Sequence, residues 1–405
     1  MKKHLIFIQQ LDQRFWGSCD EIEQAYEDVF PHLSLHFEVL KFEFNFTKLD
    51  HAINQLKDQL AHMKGEIIIY FLSHNIDFNN FLKELVQYKE KVKICIPIYG
   101  DMTVEIERWH KAEEILKGWY CHFIVASHAS KKQILTFANI DQDSISILRH
   151  PLNKPYFKSN TLIKPLKESY IYAGRISYGK NVFQLIDTFH KAIQINPQIT
   201  LDIYGHVDEI GNKFHGISPT IDDMTEAFNK LIKNSHENIK YHGHVTSEEI
   251  LMKYKEHEYF VSMSTYHDED YGLAVAQALA CGCTPVLSNW GGFKDYEPAH
   301  LIATEIDKNG IFTFNESKLL EALLRPKKND QNHNREYALA YTPEQISKNL
   351  GTILNQCFNK YQGQSEIFKH YYLSYHRFKN RPFMDILIDD KILKLYLEIY
   401  KGYYE

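Results

Sequence analysis

The chain has 405 residues, 44% hydrophobic and 24% charged, with 46 Lys and Arg against 52 Asp and Glu for a formal charge of −6. At ~150 residues per domain this suggests two or three domains, and the composition excludes wholesale disorder. The acidic balance does not point to a general nucleic-acid binder, and six scattered cysteines (Cys19, Cys95, Cys121, Cys281, Cys283, Cys357) form neither a zinc ribbon nor a disulfide scaffold.

In chain order, the apolar start Leu5–Ile8 is too short for a signal-peptide core and reads as part of a strand, His4–Gln9. A loop, Gln10–Ser18, and a helix, Asp20–Phe30, follow. Glu66–Leu72, Val92–Ile98, His122–Ser127 and Ser144–Leu148 read as further strands, with a helix at Lys131–Ala138. Dense apolar runs of this kind suit strands buried on both faces, and strands alternating with helices imply a parallel sheet with right-handed crossovers. No apolar run nears the ~18 residues of a membrane span. Pro151, Pro155 and Pro165 mark His150–Ser169 as a linker. The alternation then restarts with strands Ser169–Ala173, Thr200–Tyr204, Ile239–His242, Tyr259–Met263 and Thr284–Ser288. Helices are expected at Asn181–Ile195, at Thr246–Tyr254 with Ser247 as N-cap, and at Leu273–Ala280. The expected architecture is α/β: two doubly wound, Rossmann-like domains facing a cleft, at 1–155 and 156–363. A helical tail, 364–405, is expected to pack back on the first domain. Its amphipathic stretch Lys391–Tyr400 is also a candidate for peripheral membrane contact.

The most informative segment is Tyr170–Asn181, YIYAGRISYGKN. A strand ends at Gly174, and Arg175 and Lys180 bracket a loop ahead of a helix. Two cations near a helix start suit an anion such as a diphosphate; alone, they could equally be surface cations. About 90 residues on, Glu269 precedes Tyr271-Gly272-Leu273 where a helix begins, and Gly282 sits as the C′ residue of that helix. Cys281 and Cys283 read as small buried residues in that turn. His242 and His244 lack an identifiable third ligand, so no metal site is expected.

Taken together, Gly174–Asn181, Gly243–Glu249, Glu269–Leu273 and Ala280–Gly292 resemble, in order and spacing, the C-terminal domain of family 4 glycosyltransferases, retaining enzymes with the GT-B fold. The likeness covers roughly 168–350 and is weaker before it, in Phe123–Lys132 and Ile145–Asn153. By that resemblance Arg175 and Lys180 neutralise a donor diphosphate, and Glu269 holds hydroxyls of the transferred sugar. Gly272 and Leu273 offer amides near the phosphates, beside Tyr271 in the same motif. Gly174, Tyr204 and Gly205 lie at strand ends facing the donor, and His244 and Val245 lie near its base. Gln277 departs from the pattern: the family has a second Glu there, facing the ribose. A Gln carbonyl still accepts a hydrogen bond but without charge assistance. On the acceptor side the candidates are Gly17, His74 and Asp101, each after a strand, where open α/β sheets bind ligands.

The resemblance implies transfer of a sugar from a nucleotide diphosphate sugar, UDP-sugar favoured, to a hydroxyl of a glycan or lipid-linked acceptor in bacterial glycan or surface polysaccharide assembly. No metal or other cofactor and no nucleic-acid partner are expected. The setting would be cytoplasmic, with peripheral contact at the inner face of the membrane as an option. Two other readings stand beside it: a sugar-nucleotide epimerase on the same fold, and a catalytically silent sugar-nucleotide binder. The high aromatic content, 14% with 26 Tyr, suits sugar-binding surfaces, but codon bias is the simpler reading.

Overall fold

The computed structural model describes residues 3–12, 17–73, 78–103, 106–157, 163–208, 220–267, 269–306, 311–356, 358–378 and 390–405. The chain divides into two compact units: Met1–Lys154 with Tyr341–Leu373, and Pro155–Ala340 with Ser374–Glu405.

In the first unit, apolar runs form the parallel strands β1 (Lys3–Gln10), β2 (Glu38–Phe44), β3 (Glu66–Phe71), β4 (Val92–Pro97), β5 (Tyr120–Val125) and β6 (Ile145–Ile147). Their order is β2–β1–β3–β4–β5, with β6 beside β5. Chain direction across the sheet therefore reverses between β1 and β3, where Ser73 Oγ meets the Gln10 N–H at 3.0 Å. β2 escaped the sequence reading. It is an edge strand whose residues EVLKFEF alternate with charge and are only partly buried, so it lacks the apolar density of its neighbours.

In the second unit, β7 (Leu166–Ala173), β8 (Thr200–Tyr204), β9 (Ile239–Tyr241), β10 (His257–Ser262), β11 (Thr284–Ser288) and β12 (His300–Ile302) are all parallel, in the order β9–β8–β7–β10–β11–β12. The reversal falls between β7 and β10, and ligands of open α/β sheets bind at such a switch point, beyond the carboxyl ends of the strands. Helix Val182–Ile195 buries Leu185, Ile186, Phe189, Ala192 and Ile193 at helical spacing against Tyr170, Leu201 and Ile203 of the sheet. Each large apolar side chain so buried contributes about 1.5–3 kcal/mol.

Several boundaries differ from the sequence reading. Residues 341–363, assigned there to the second domain, belong with the first unit. Helix Pro343–Leu354 packs on helix Gly17–Leu33, and the short strand Asn359–Lys360 pairs antiparallel with β5. The tail is divided: its part through Leu373 belongs to the first unit, and its part from Ser374 to the second. Helix Ser247–Glu256 is capped by Thr246, not Ser247, in a reciprocal box with Glu249. Among the described residues, no helix is long and apolar enough to cross a membrane.

Candidate functional site

The loop leaving β7 is fixed by its own backbone. The Tyr172 hydroxyl donates to the Arg175 carbonyl at 2.6 Å, and the Gly174 N–H donates to the Tyr204 carbonyl at 3.0 Å. The approach to β8 is so close that a Cβ on Gly205 would lie 1.9 Å from the Gly174 carbonyl oxygen, and Gly205 adopts φ +140°. The loop after β9 joins them: the Gly205 N–H donates to Gly243 at 2.9 Å, and the Tyr241 hydroxyl to the Gly205 carbonyl at 3.0 Å. His244, exposed, stands edge-on to His206 with ring centres 5.8 Å apart, and Val245 beside it is half-buried.

Asn181 ties this loop to the one after β10. It takes the left-handed conformation (φ 53°) ahead of helix Val182–Ile195, a geometry Asn tolerates better than most residues. Its side-chain amide donates to the Met263 carbonyl at 2.8 Å and to Thr265 Oγ1 at 2.9 Å, while the Thr265 N–H donates to Gly179 at 3.1 Å.

This lacing places two cations over one ring. The Arg175 guanidinium carbon and Lys180 Nζ lie 5.4 and 5.3 Å from the centre of Tyr266, within cation–π range. Lys180 forms an ion pair with Glu269, both side chains largely buried, and Arg175 pairs with Asp208 at 3.1 Å. The net stabilisation from such desolvated pairs is small, so they add little to the fold. His267, buried beside Tyr266, has its pKa pushed down to about 3, first by burial and then by the Arg175 and Lys180 charges.

Helix Leu273–Cys281 starts at Gly272 (φ 70°), which as a glycine offers no side-chain cap to the first N–H groups of the helix. A Cβ on Gly272 would lie 2.5 Å from the Phe293 ring. Tyr271 is buried beside the helix start and Gln277 on the helix. The helix ends at Gly282 (φ 99°), with the Cys283 N–H returning to the Ala278 carbonyl at 3.0 Å. Burial pushes the Cys281 thiol up to about 12 and that of Cys283 well above its ordinary range. His242 lies 2.7 Å from Asp202, which also holds His257 at 2.8 Å.

Gly174, Arg175, Lys180, Tyr204, Gly205 and Glu269 thus converge on the ends of β7, β8 and β10. The sequence reading missed Tyr266, His267 and Asp208. The first two sit in the stretch Ser264–Asp270, which was read only for its acid; Asp208 follows Tyr204-Gly205 by three residues, and its spacing announces nothing. The acceptor-side candidates belong to the first unit. Gly17 is exposed at the start of helix Gly17–Leu33. Asp101 is buried and accepts from the Thr103 N–H at 2.8 Å, the Thr103 hydroxyl at 2.7 Å and Gln133 Nε2 at 2.7 Å. It is engaged in shaping its own turn. His74 lies outside the described residues.

Residues 154–336, less than half of the chain, match the family described as glycosyl transferases group 1. A poly(glycerol-phosphate) alpha-glucosyltransferase of Bacillus subtilis (strain 168) is 23% identical over 222 residues, 53% of this chain and 30% of the relative, so the chain spans under a third of that relative's length. Among solved structures, the lipopolysaccharide outer core galactosyltransferase WaaB superposes with a TM-score of 0.60 at 13% identity, covering 87% of this chain and 99% of that one. Anabaena HepE, solved in complex with UDP-glucose, gives 0.58 at 13% identity over 86% and 99%. TarM gives 0.51 at 15% identity over 75% and 57%. The chain therefore has the α/β GT-B fold shared by these glycosyltransferase structures. Its second unit holds nearly all of the segment that matches the group 1 glycosyl transferases.

Proposed function

We propose that the protein is a retaining glycosyltransferase that moves a sugar from a nucleotide diphosphate sugar, UDP-sugar favoured, to an acceptor hydroxyl. The observation that carries this reading is the gathering of Arg175, Lys180 and Glu269 around Tyr266 at the switch point of the second sheet. An arriving diphosphate competes with Glu269 for Lys180, which frees the carboxylate for sugar hydroxyls. Arg175, Lys180 and the amides at Gly272 and Leu273 then stabilise charge growing on the leaving diphosphate. Preorganised donors of this kind contribute about 3–4 kcal/mol each. The leaving phosphate takes the acceptor proton as the new bond forms on the face the donor vacates, and the side chains supply the neutralising charge without a metal. Gly174, Tyr204, Gly205, Tyr271, His244 and Val245 line the donor, with Gln277 at its ribose. The acceptor, a glycan or lipid-linked glycan of a bacterial surface polysaccharide, falls to the strand ends of the first unit, around Gly17, His74 and Asp101. The setting is cytoplasmic, with the membrane face as a peripheral station.

The test is to incubate the protein with UDP-, GDP- and ADP-sugars, with and without an acceptor panel. UDP released only when acceptor is present, with the product keeping the donor's anomeric configuration by NMR, is the expected result. Interconversion of the donor sugar without acceptor would point to an epimerase, and nucleotide binding without turnover to a silent binder; either outcome displaces the proposal.

A further inference from the structure

The last described segment, helix Asp390–Ile399 followed by the turn Lys401–Tyr404, is held on the second unit by its aromatic residues. Tyr396, Tyr400 and Tyr403 are fully buried. Tyr400 and Tyr403 meet the Trp290 indole with ring centres 6.4 and 5.6 Å apart. Tyr396 and Tyr404 flank Phe312, itself 4.7 Å from Trp290. Lys294 Nζ closes the contact by donating to the Gly402 carbonyl at 2.7 Å.

All of these contacts fall on or beside the turn from Trp290 to Lys294, and the opposite side of that turn carries the site loop. Trp290 Nε1 donates to the Tyr266 carbonyl at 2.8 Å, and the Gly292 N–H donates to the Glu269 carbonyl at 2.9 Å. Gly291 is pinned between the two partners: a Cβ there would lie 2.4 Å from the Glu269 carbonyl oxygen and 3.0 Å from the Tyr403 ring. His267, between the two hydrogen-bonded residues, also faces Tyr400 at 6.5 Å. The described residues between β10 and helix Leu273–Cys281 have no helix or strand of their own, so their position depends on what they lean against.

We propose that the C-terminal segment is a clamp that sets the position of the Tyr266 ring and of Glu269 through the Trp290–Gly292 turn, with Tyr403 as its main positioning residue. Removing the Tyr403 ring uncovers one side of Trp290 and Gly291 and lets the turn and both of its carbonyl partners shift together. The catalytic consequence rests on the sugar-transfer reading above; the clamp does not.

The test compares Tyr403→Ala, Tyr403→Phe and the unaltered full chain by hydrogen exchange and steady-state kinetics, with Tyr403→Leu standing in should the alanine variant not fold. Amides of residues 266–273 are expected to exchange at least tenfold faster in Tyr403→Ala, while those of helix Val182–Ile195 keep their rates. The kcat is expected to fall at least tenfold with KM for the sugar nucleotide within threefold, and Tyr403→Phe to restore both exchange and kcat. Unchanged exchange at 266–273, or equal loosening of the whole second unit, overturns the clamp. A loosened loop with kcat within twofold of the unaltered chain overturns its positioning role. If the unaltered chain transfers no sugar, the sugar-transfer reading fails on its own account and the exchange data alone decide the clamp.

Discussion

Lys180 and Glu269 neutralise each other as an ion pair, and this makes the roles of the two residues separable. Glu269→Gln removes a carboxylate that competes with the diphosphate for Lys180. It is expected to leave UDP affinity unchanged or tighter while turnover falls at least a hundredfold, about 2.7 kcal/mol in the barrier. Steady-state kinetics beside a UDP titration checks this; weaker UDP binding would contradict it. Gln277→Glu is expected to hold or tighten nucleotide binding by restoring a charge-assisted acceptor. A clear loss of affinity by calorimetry would contradict it. Two buried imidazoles give a pH prediction. Burial pushes His150 down to about 4, and His267 lies at about 3. In the unfolded chain both take up protons below ~6.5. The unfolded state therefore binds more protons than the folded one as pH drops from 6.5. Stability is full above that pH and falls through the window until the folded values are passed. Each imidazole costs about 2 kcal/mol by pH 5. Urea unfolding at pH 7 and pH 5 should show that loss, and His267→Gln should reduce it; an unchanged slope in the variant would refute the assignment. Arg175, Lys180 and Glu269 were legible in the sequence because glycines and helix starts frame them. Tyr266 was not, because its role depends on the loop after β10 folding back under the loop after β7.

At the scale of elements, glycines decide how closely the strand-end loops approach. Gly205→Ala would set a Cβ against the Gly174 carbonyl and force an unfavourable φ. We expect a loss of about 2–4 kcal/mol in stability, read from the urea midpoint. Gly351 offers the opposite case. It lies inside helix Pro343–Leu354, and a Cβ there meets nothing within 4 Å. Gly351→Ala should stabilise the protein by about 0.5–1 kcal/mol, through helix propensity alone. A stabilised Gly205→Ala would contradict the close approach at Gly174, and a destabilised Gly351→Ala the open space beside that helix. Strands β3, β4 and β10 were readable because burial on both faces demands dense apolar runs. Edge strand β2 was not, because one free edge and partial exposure leave it charged. The start of the helix at Ser247 was readable to within one residue; the capping box with Glu249 decided between Thr246 and Ser247.

For the whole molecule, the proline-bearing stretch His150–Ser169 contains the first passage between units, at Lys154–Pro155. The return at Tyr341 left no mark in composition. It is held by the Leu152 N–H donating to the Tyr341 carbonyl at 2.9 Å and by the Arg149 side chain against the Tyr341 ring, contacts between residues far apart in the chain. The division of the tail was equally hidden, since a two-residue strand on β5 and a set of tyrosines on Trp290 are visible only once both partners are placed. The account rests on one claim: the two cations beside Tyr266 receive a nucleoside diphosphate. Calorimetric titration of UDP into the unaltered chain, Arg175→Ala and Lys180→Ala tests it most directly. The expected result is saturable binding to the unaltered chain that weakens at least tenfold, about 1.4 kcal/mol, in each variant. Equal affinity in all three, or no binding of UDP, GDP or ADP to the unaltered chain, would contradict it.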